Sequence, residues 1–272
     1  MAGAIPVLIS ELRTDTLCTM TGDKTYVERR DESQGWLKRL VVGVSGTTQA
    51  NCARFVNDLT ATTPRPRVLV IGGGERGSGT EALWSDDRIE ITSVDIYPST
   101  HVDVICDGHY LPFRDASYDG VWIQAVLEHV VEPQVVVAEI HRVLKPGGLV
   151  YAETPFMQQV HEGAYDFTRF TVLGHRYLFK RFEQIDIGGN KGPEVVFAWS
   201  VRYLAWAVLR SRRAARLLGL ATGLLMRPLR PLVSEKAMFD GPSGVYFLGR
   251  KSDGAALTHK ELVTLYRGQY GS

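Results

Sequence analysis

Residues 67–80 read RVLVIGGGERGSGT, an apolar, β-branched run that breaks into Gly72, Gly73, Gly74, Gly77 and Gly79. Such a run suits a buried strand. A turn this rich in residues without a Cβ lets backbone come close to a ligand and allows positive φ. The helix expected to follow would turn its unpaired amide groups toward that ligand. Asp95 ends the next apolar run, ITSVD, 23 residues after Gly72, where a carboxylate can accept both hydroxyl protons of a ribose. In open α/β sheets ligands bind outside the carboxyl ends of the strands, where both features fall. Gly72-x-Gly74-x-x-Gly77 also satisfies the dinucleotide fingerprint in full. From this segment alone, a nicotinamide dinucleotide and other ribose-bearing ligands stand as rivals.

Outward from that turn, Val68–Ile71, Ile89–Val94, Val102–Ile105, Gly120–Ile123 and Leu149–Ala152 read as short strands. Helical stretches separate several of them, notably Pro133–Leu144 with apolar residues at i, i+3 and i+4. The alternation predicts an α/β, doubly wound, mostly parallel sheet. Lys145-Pro146-Gly147-Gly148 marks a helix end followed directly by a strand. Upstream, Cys52, Phe55, Val56 and Leu59 recur at helical spacing within Thr47–Leu59, and Thr60–Pro66 reads as a linker. Downstream, residues 192–242 read as mostly helical before a last strand at Gly244–Arg250.

Composition removes several classes of function. The chain has 272 residues, with 31 Lys plus Arg against 30 Asp plus Glu, a net charge of +1. That balance offers no basic footprint for nucleic acid. A hydrophobic fraction of 44% with 10% aromatics argues against disorder. Cys18, Cys52 and Cys106 stand apart, with no CxxC and no zinc spacing. A reducing, cytoplasmic setting fits that cysteine usage. The N-terminus lacks the basic start of a signal peptide. The longest uncharged apolar run, Leu217–Met226, is half the roughly 20 residues a membrane span needs.

With these elements in place, Arg67 to about Phe182 resembles the class I S-adenosylmethionine-dependent methyltransferases of the small-molecule branch. Besides the glycine loop, DGHYLPF (107–113), SYDGVW (117–122), QAVLEHV (124–130) and LKPGGL (144–149) occur in the family order. The resemblance implies a Rossmann-like, seven-stranded sheet whose last strand is antiparallel. It implies S-adenosylmethionine held by Gly72, Gly73, Gly74, Asp95, Ile96, Asp107, Gly108, His109 and Gln124. In that assignment Asp95 takes the ribose and Asp107 the adenine. An N-terminal helical cover is expected over 1–64, a methyltransferase domain over 65–272, and a helical insertion at about 195–235. The chain departs from the family at Val70, where an acid is usual, and Glu75 and Arg76 push the third glycine back to Gly77. Glu75 is the candidate replacement acid.

Methyl transfer to a hydroxyl needs alignment and a base. The stretch TPFMQQVHEGAYDFTRFT (154–171) leaves the fifth expected strand over the cofactor mouth. His161 is the expected base, with Asp166 orienting it or holding a substrate hydroxyl. The competing reading pairs Asp166 with Arg169 as a buried ion pair capping the next helix. His129 is the second base, while His141 and His175 read as ordinary packing residues. Phe156, Tyr165 and Arg169 are expected at the acceptor, and magnesium held partly by His161 and Asp166 stays open. The layout also resembles bacterial sugar and polysaccharide O-methyltransferases, including the actinobacterial methylmannose polysaccharide type, which implies a carbohydrate hydroxyl as acceptor. An aromatic or lipid-like acceptor, or a non-catalytic cofactor-binding regulator, are the alternatives. Seven arginines and no acid lie between Glu194 and Glu235. That basic apolar stretch is expected to form a helical lid, with peripheral membrane contact through 196–233 and a homodimer left open.

Overall fold

The computed structural model describes residues 5–9 and 43–271. Most of the N-terminal cover expected over 1–64, with Cys18, lies outside the described residues. Seven strands form one sheet in the order β3-β2-β1-β4-β5-β7-β6. They are β1 (Arg67–Ile71), β2 (Glu90–Asp95), β3 (Val104–Ile105), β4 (Tyr118–Gln124), β5 (Leu144–Pro155), β6 (Phe182–Lys191) and β7 (Gly244–Lys251). β1 to β5 pair in parallel, and β7 runs antiparallel to both β5 and β6. The mostly parallel sheet with an antiparallel last strand is therefore as expected.

Alternation along the strands builds a core on each face, because successive side chains point to opposite sides. Leu69, Ile71, Val121, Ile123, Val150 and Ala152 face one cluster, where they meet Val136, Val137 and Ile140 of α3 (Pro133–Val143). Val68, Val70, Trp122, Leu149 and Tyr151 face the other. There they meet Cys52, Phe55, Val56 and Leu59 of α1 (Gly46–Thr62) and Leu83 of α2 (Glu81–Ser85). The described part of the N-terminal zone, α1, is thus a core layer of the domain, not a detached cover. Ser45 caps it by accepting from the Thr48 amide at 3.2 Å.

Sheet order reverses beside β1, whose neighbours are β2 on one side and β4 on the other. The crevice outside the carboxyl ends of β1 and β4 is the position at which such sheets bind ligands. β5 runs on through Lys145–Gly148, with Gly147 at φ +75°, so the expected stop is an irregular strand start. The remaining helices are α4 (Val172–Leu178), α5 (Pro193–Leu209), α6 (Arg212–Met226), α7 (Glu235–Asp240) and α8 (His259–Thr264). No described helix is long and apolar enough to cross a membrane.

Candidate functional site

The glycine turn is shaped by neighbours that leave no room for side chains. A Cβ on Gly72 would stand 2.1 Å from Val126 Cγ2, one on Gly73 1.8 Å from Ser93 Oγ, and one on Gly77 2.2 Å from Gln124 Oε1. Gly72 also has φ +77°, a conformation that favours glycine. The amides of Gly72 and Gly73 both donate to the Val94 carbonyl, at 2.9 and 3.0 Å, which pins the turn to β2. Asp95 closes the same corner: Oδ2 accepts from the Gly74 amide at 2.8 Å and Oδ1 from the Ile96 amide at 2.7 Å. The Tyr97 backbone also bonds this carboxylate, so of its roughly four acceptor sites one stays open for a hydroxyl. Burial outweighs these hydrogen bonds and lifts the Asp95 carboxyl to about 6. Ile96, next along, is exposed, as a residue covering an aromatic base would be.

Asp107 sits in the loop after β3, where Oδ1 meets both the His109 amide, at 2.9 Å, and its Nδ1, at 2.6 Å. Gly108 has room for a Cβ, unlike the glycines of the turn. Val70, where an acid was expected, is buried in the sheet core, and Glu75 is exposed.

A second group of polar residues gathers beyond β4 and β5. Ala125 takes φ +55° at the end of β4, a strained position of the kind found at functional sites, and a 3-10 turn follows over Leu127–His129. The Glu128 carbonyl accepts from the amides of Phe167 and Thr168, tying this turn to the loop after β5. His129 and His161 thereby meet edge to face, their ring centroids 5.0 Å apart. Glu128 lies beneath them, fully buried, with neither carboxylate oxygen hydrogen-bonded. Its Oε1 is 3.6 Å from His129 Nε2 and 3.9 Å from His161 Nε2. Burial drives this carboxyl up to about 8, so it is mostly uncharged at neutral pH. His129 Nδ1 sits 2.6 Å from the Tyr165 carbonyl, which directs its Nε2 toward Glu128.

Asp166 meets both partners weighed for it. Its Oδ2 accepts from the His161 amide at 2.9 Å and lies 3.1 Å from His161 Nδ1, beside that ring but without a hydrogen bond to it. Both its oxygens also engage Arg169, one by Nη1 and the other by Nη2 at 2.8 Å. Burial opposes ionisation here, but the guanidinium and the His161 amide hold the carboxyl down at about 2. The Asp166 side chain is 1% exposed, which leaves a substrate hydroxyl little access to it. Arg169 is likewise no acceptor ligand, since it also donates to the carbonyls of Gln158 and Thr168. Thr171, not the ion pair, caps α4 by accepting from the Gly174 amide. Phe156 is half-buried and packs against the core. His141 and His175 are packing residues, and burial holds both pKa values down, at about 4 and about 3.

Two buried polar features were missed from sequence. Glu128 is one; its only signal is an acid between Leu127 and Val130 in an apolar turn. Glu153 is the other. It accepts from Thr48 Oγ1 at 2.8 Å, Tyr151 Oη at 2.7 Å and Asn190 Nδ2 at 2.7 Å, binding α1, β5 and β6 together.

Known proteins resemble this chain in sequence over part of its length and in fold. Residues 69–152 match the methyltransferase domain family. That stretch runs from β1 into β5 and is similar to the methyltransferases expected from the sequence. Among curated relatives, the demethylmenaquinone methyltransferase of Renibacterium salmoninarum is 35% identical over 166 residues, 56% of this chain and 65% of that protein. The ubiquinone/menaquinone biosynthesis C-methyltransferase UbiE of Teredinibacter turnerae is 27% identical, over 48% of this chain and 60% of its own length. The chain therefore spans less than two thirds of these relatives. A Haemonchus contortus phosphoethanolamine N-methyltransferase 2 solved with S-adenosyl-L-methionine has the same fold, with TM-score 0.50 at 15% identity. It matches over 82% of this chain and 57% of its own. Its counterpart with phosphomonomethylethanolamine and S-adenosylhomocysteine gives TM-score 0.51 at 16% identity, over 84% and 59%.

The match to a methyltransferase domain favours S-adenosylmethionine over a nicotinamide dinucleotide at the glycine turn. The bare glycine cradle and Asp95 fit the nucleoside of S-adenosylmethionine, because the Cβ atoms that would fill the space are absent and a hydroxyl acceptor stands beside it. For a metal, the expected His161 and Asp166 pair does not serve, since Arg169 occupies Asp166. The donors that converge are Glu128, His129 and His161, within 4.8 Å of one another. Two imidazoles and one carboxylate suit a transition ion better than magnesium, which prefers oxygen ligands.

Proposed function

We propose that this protein transfers the methyl group of S-adenosylmethionine to a ring acceptor bearing a hydroxyl, with His161 as general base. When bound, the cofactor supplies an electrophilic methyl on a sulfonium. The observation that carries the reading is the partly exposed His161 ring on the loop after β5, with the Asp166 carboxylate 3.1 Å from its Nδ1. Burial lowers its pKa, so the ring is neutral and able to take a proton at physiological pH. Asp166 stays ionised behind Nδ1 and stabilises the imidazolium that forms, as a base backed by a carboxylate requires. His129 has only a carbonyl behind its Nδ1, so no carboxylate there would stabilise its imidazolium.

A quinol-type acceptor is better supported than the carbohydrate expected from sequence. The named relatives methylate demethylmenaquinone or serve ubiquinone and menaquinone biosynthesis. Removing the proton of a ring hydroxyl spreads negative charge onto oxygen and the adjacent ring carbon, so one base serves O- or C-methylation. Met157, Val160 and Phe167 expose apolar surface on the loop that holds His161. The set expected to read a sugar is dispersed, because Phe156 packs inward and Arg169 is spent on Asp166. The test is methyl transfer by the purified chain to naphthoquinols, simple phenols and a saccharide panel. Transfer to a naphthoquinol is expected. Transfer to saccharides alone would overturn the acceptor, and cofactor-product binding with no transfer to any acceptor would favour the regulatory module.

A further inference from the structure

Of the twenty-one exposed large hydrophobic residues described, twelve fall between Phe197 and Leu232, on α5, α6 and the 3-10 turn at Arg227–Leu232. The two helices pack on each other, joined through Arg210 and Ser211. Apart from Val195 near the start of α5, the buried residues of the pair are small: Ala198, Ala205 and Ala215. At Gly219 a Cβ would come within 2.7 Å of Arg202 Cβ, so the helices touch there. Large apolar side chains point away from the seam. Leu204, Leu225 and Leu232 are 63%, 71% and 78% exposed, and Tyr203 and Trp206 form an exposed aromatic pair with centroids 5.6 Å apart. A helix pair in water buries its large residues and exposes small or polar ones; this pair does the reverse, the arrangement used among lipids. A contiguous apolar surface of this kind marks an interaction site.

Charge identifies the occupant. Arg202, Arg210, Arg212, Arg213, Arg216, Arg227 and Arg230 lie in this segment, and no acid occurs between Glu194 and Glu235. Arg230 is 3.6 Å from Glu194. A second copy docked isologously would set like charges against like, with no acid inside the segment to receive them. Lipid phosphates offer the missing negative charge. The 17-residue α5 is about 25 Å long, short of the roughly 30 Å hydrocarbon core, so the segment lies on a bilayer.

We propose that the α5–α6 hairpin and the turn after it seat this protein on an anionic lipid bilayer. Exposed leucines and the Tyr203–Trp206 pair enter the headgroup boundary, and the arginines meet lipid phosphates. Gln159 Nε2, on the loop that carries His161, reaches Ser200 Oγ of α5 at 3.4 Å, so the docked face adjoins the catalytic loop. The inference holds whatever the acceptor, since it rests on the hairpin alone.

The test is flotation of the full chain with vesicles of phosphatidylcholine, with and without phosphatidylglycerol, at low and high salt. Binding is expected with phosphatidylglycerol, weakened by salt. Arg212→Gln with Arg213→Gln and Arg216→Gln should lower the partition coefficient about a hundredfold, from roughly fivefold per arginine. Leu204→Glu with Leu225→Glu should abolish binding. Both variants should keep wild-type affinity for S-adenosylhomocysteine, which reports an intact fold. Absence of binding to the anionic vesicles overturns the proposal, as does binding that survives both sets of changes. A solution dimer that Leu204→Glu with Leu225→Glu splits, without vesicle binding, would assign the face to a second copy.

Discussion

Cofactor affinity should fall as pH drops through 6, and Asp95 should be the cause. Its carboxyl is buried at the end of β2 and titrates at about 6, well above the usual carboxylate value. Only the ionised form keeps an acceptor for a ribose hydroxyl, so binding must first discharge the proton. For one such group the apparent Kd scales as one plus the ratio of protonated to ionised carboxyl. A pKa of about 6 then makes binding about tenfold weaker at pH 5 than at pH 7. Titration calorimetry of S-adenosylhomocysteine in buffers of different ionisation enthalpy reads both the Kd and the proton released. Asp95→Asn should weaken binding roughly 10- to 100-fold at pH 7, the worth of a hydrogen bond to a charged group. It should also flatten the pH profile. A flat wild-type profile from pH 5 to 7, or the same slope in the Asn variant, would refute the ribose role of Asp95.

Further outcomes follow from the same geometry. His161→Ala should lower turnover by about 10²–10⁴ with cofactor affinity nearly unchanged. Wild-type kcat should rise with pH and level off below pH 6.5, since burial depresses the ring's pKa and the neutral form is active; near-normal turnover in the variant would remove His161 from the mechanism. With His161 as a base, chelators should leave turnover intact, and a loss restored by a transition ion would recast Glu128, His129 and His161 as a metal centre. Glu128→Gln should gain stability relative to wild type as pH rises from about 4.5 to 8 and then plateau. In that window the unfolded carboxyl has ionised while the buried one still holds its proton, so raising the pH penalises the wild-type fold; urea unfolding across pH that shows a constant difference would contradict this. Gly72→Ala should cost about 2–5 kcal/mol, from positive φ and the clash with Val126; a loss below about 1 kcal/mol in denaturant unfolding would show that the turn relaxes.

Local features were legible where one chemical need dictates residue type. Gly72, Gly73 and Gly77 have no alternative once Val126, Ser93 and Gln124 crowd them, and the strands around them show as β-branched runs. The Asp166–Arg169 pair was visible three residues apart, but whether it faced a substrate or a protein interior was not. β6 escaped notice because its sequence, FEQIDIGGNK, is polar and half-buried, without the apolar run that marked its neighbours. Glu153 hid for the opposite reason. It looks like a charged residue at a strand end, yet Thr48, Tyr151 and Asn190 reach it from positions far away in the chain.

The sequence by itself determined β1 to β5 and β7, the glycine turn, Asp95 and the basic apolar stretch, because period, glycine content and charge are local properties. Only the tertiary structure decided what Glu128, His129 and His161 do together, for the contact depends on the loop after β5 folding back onto the turn after β4. It also decided which side of the α5–α6 hairpin carries the large apolar residues. Both outcomes turn on desolvation and distance, which belong to the folded arrangement of the chain and not to its order.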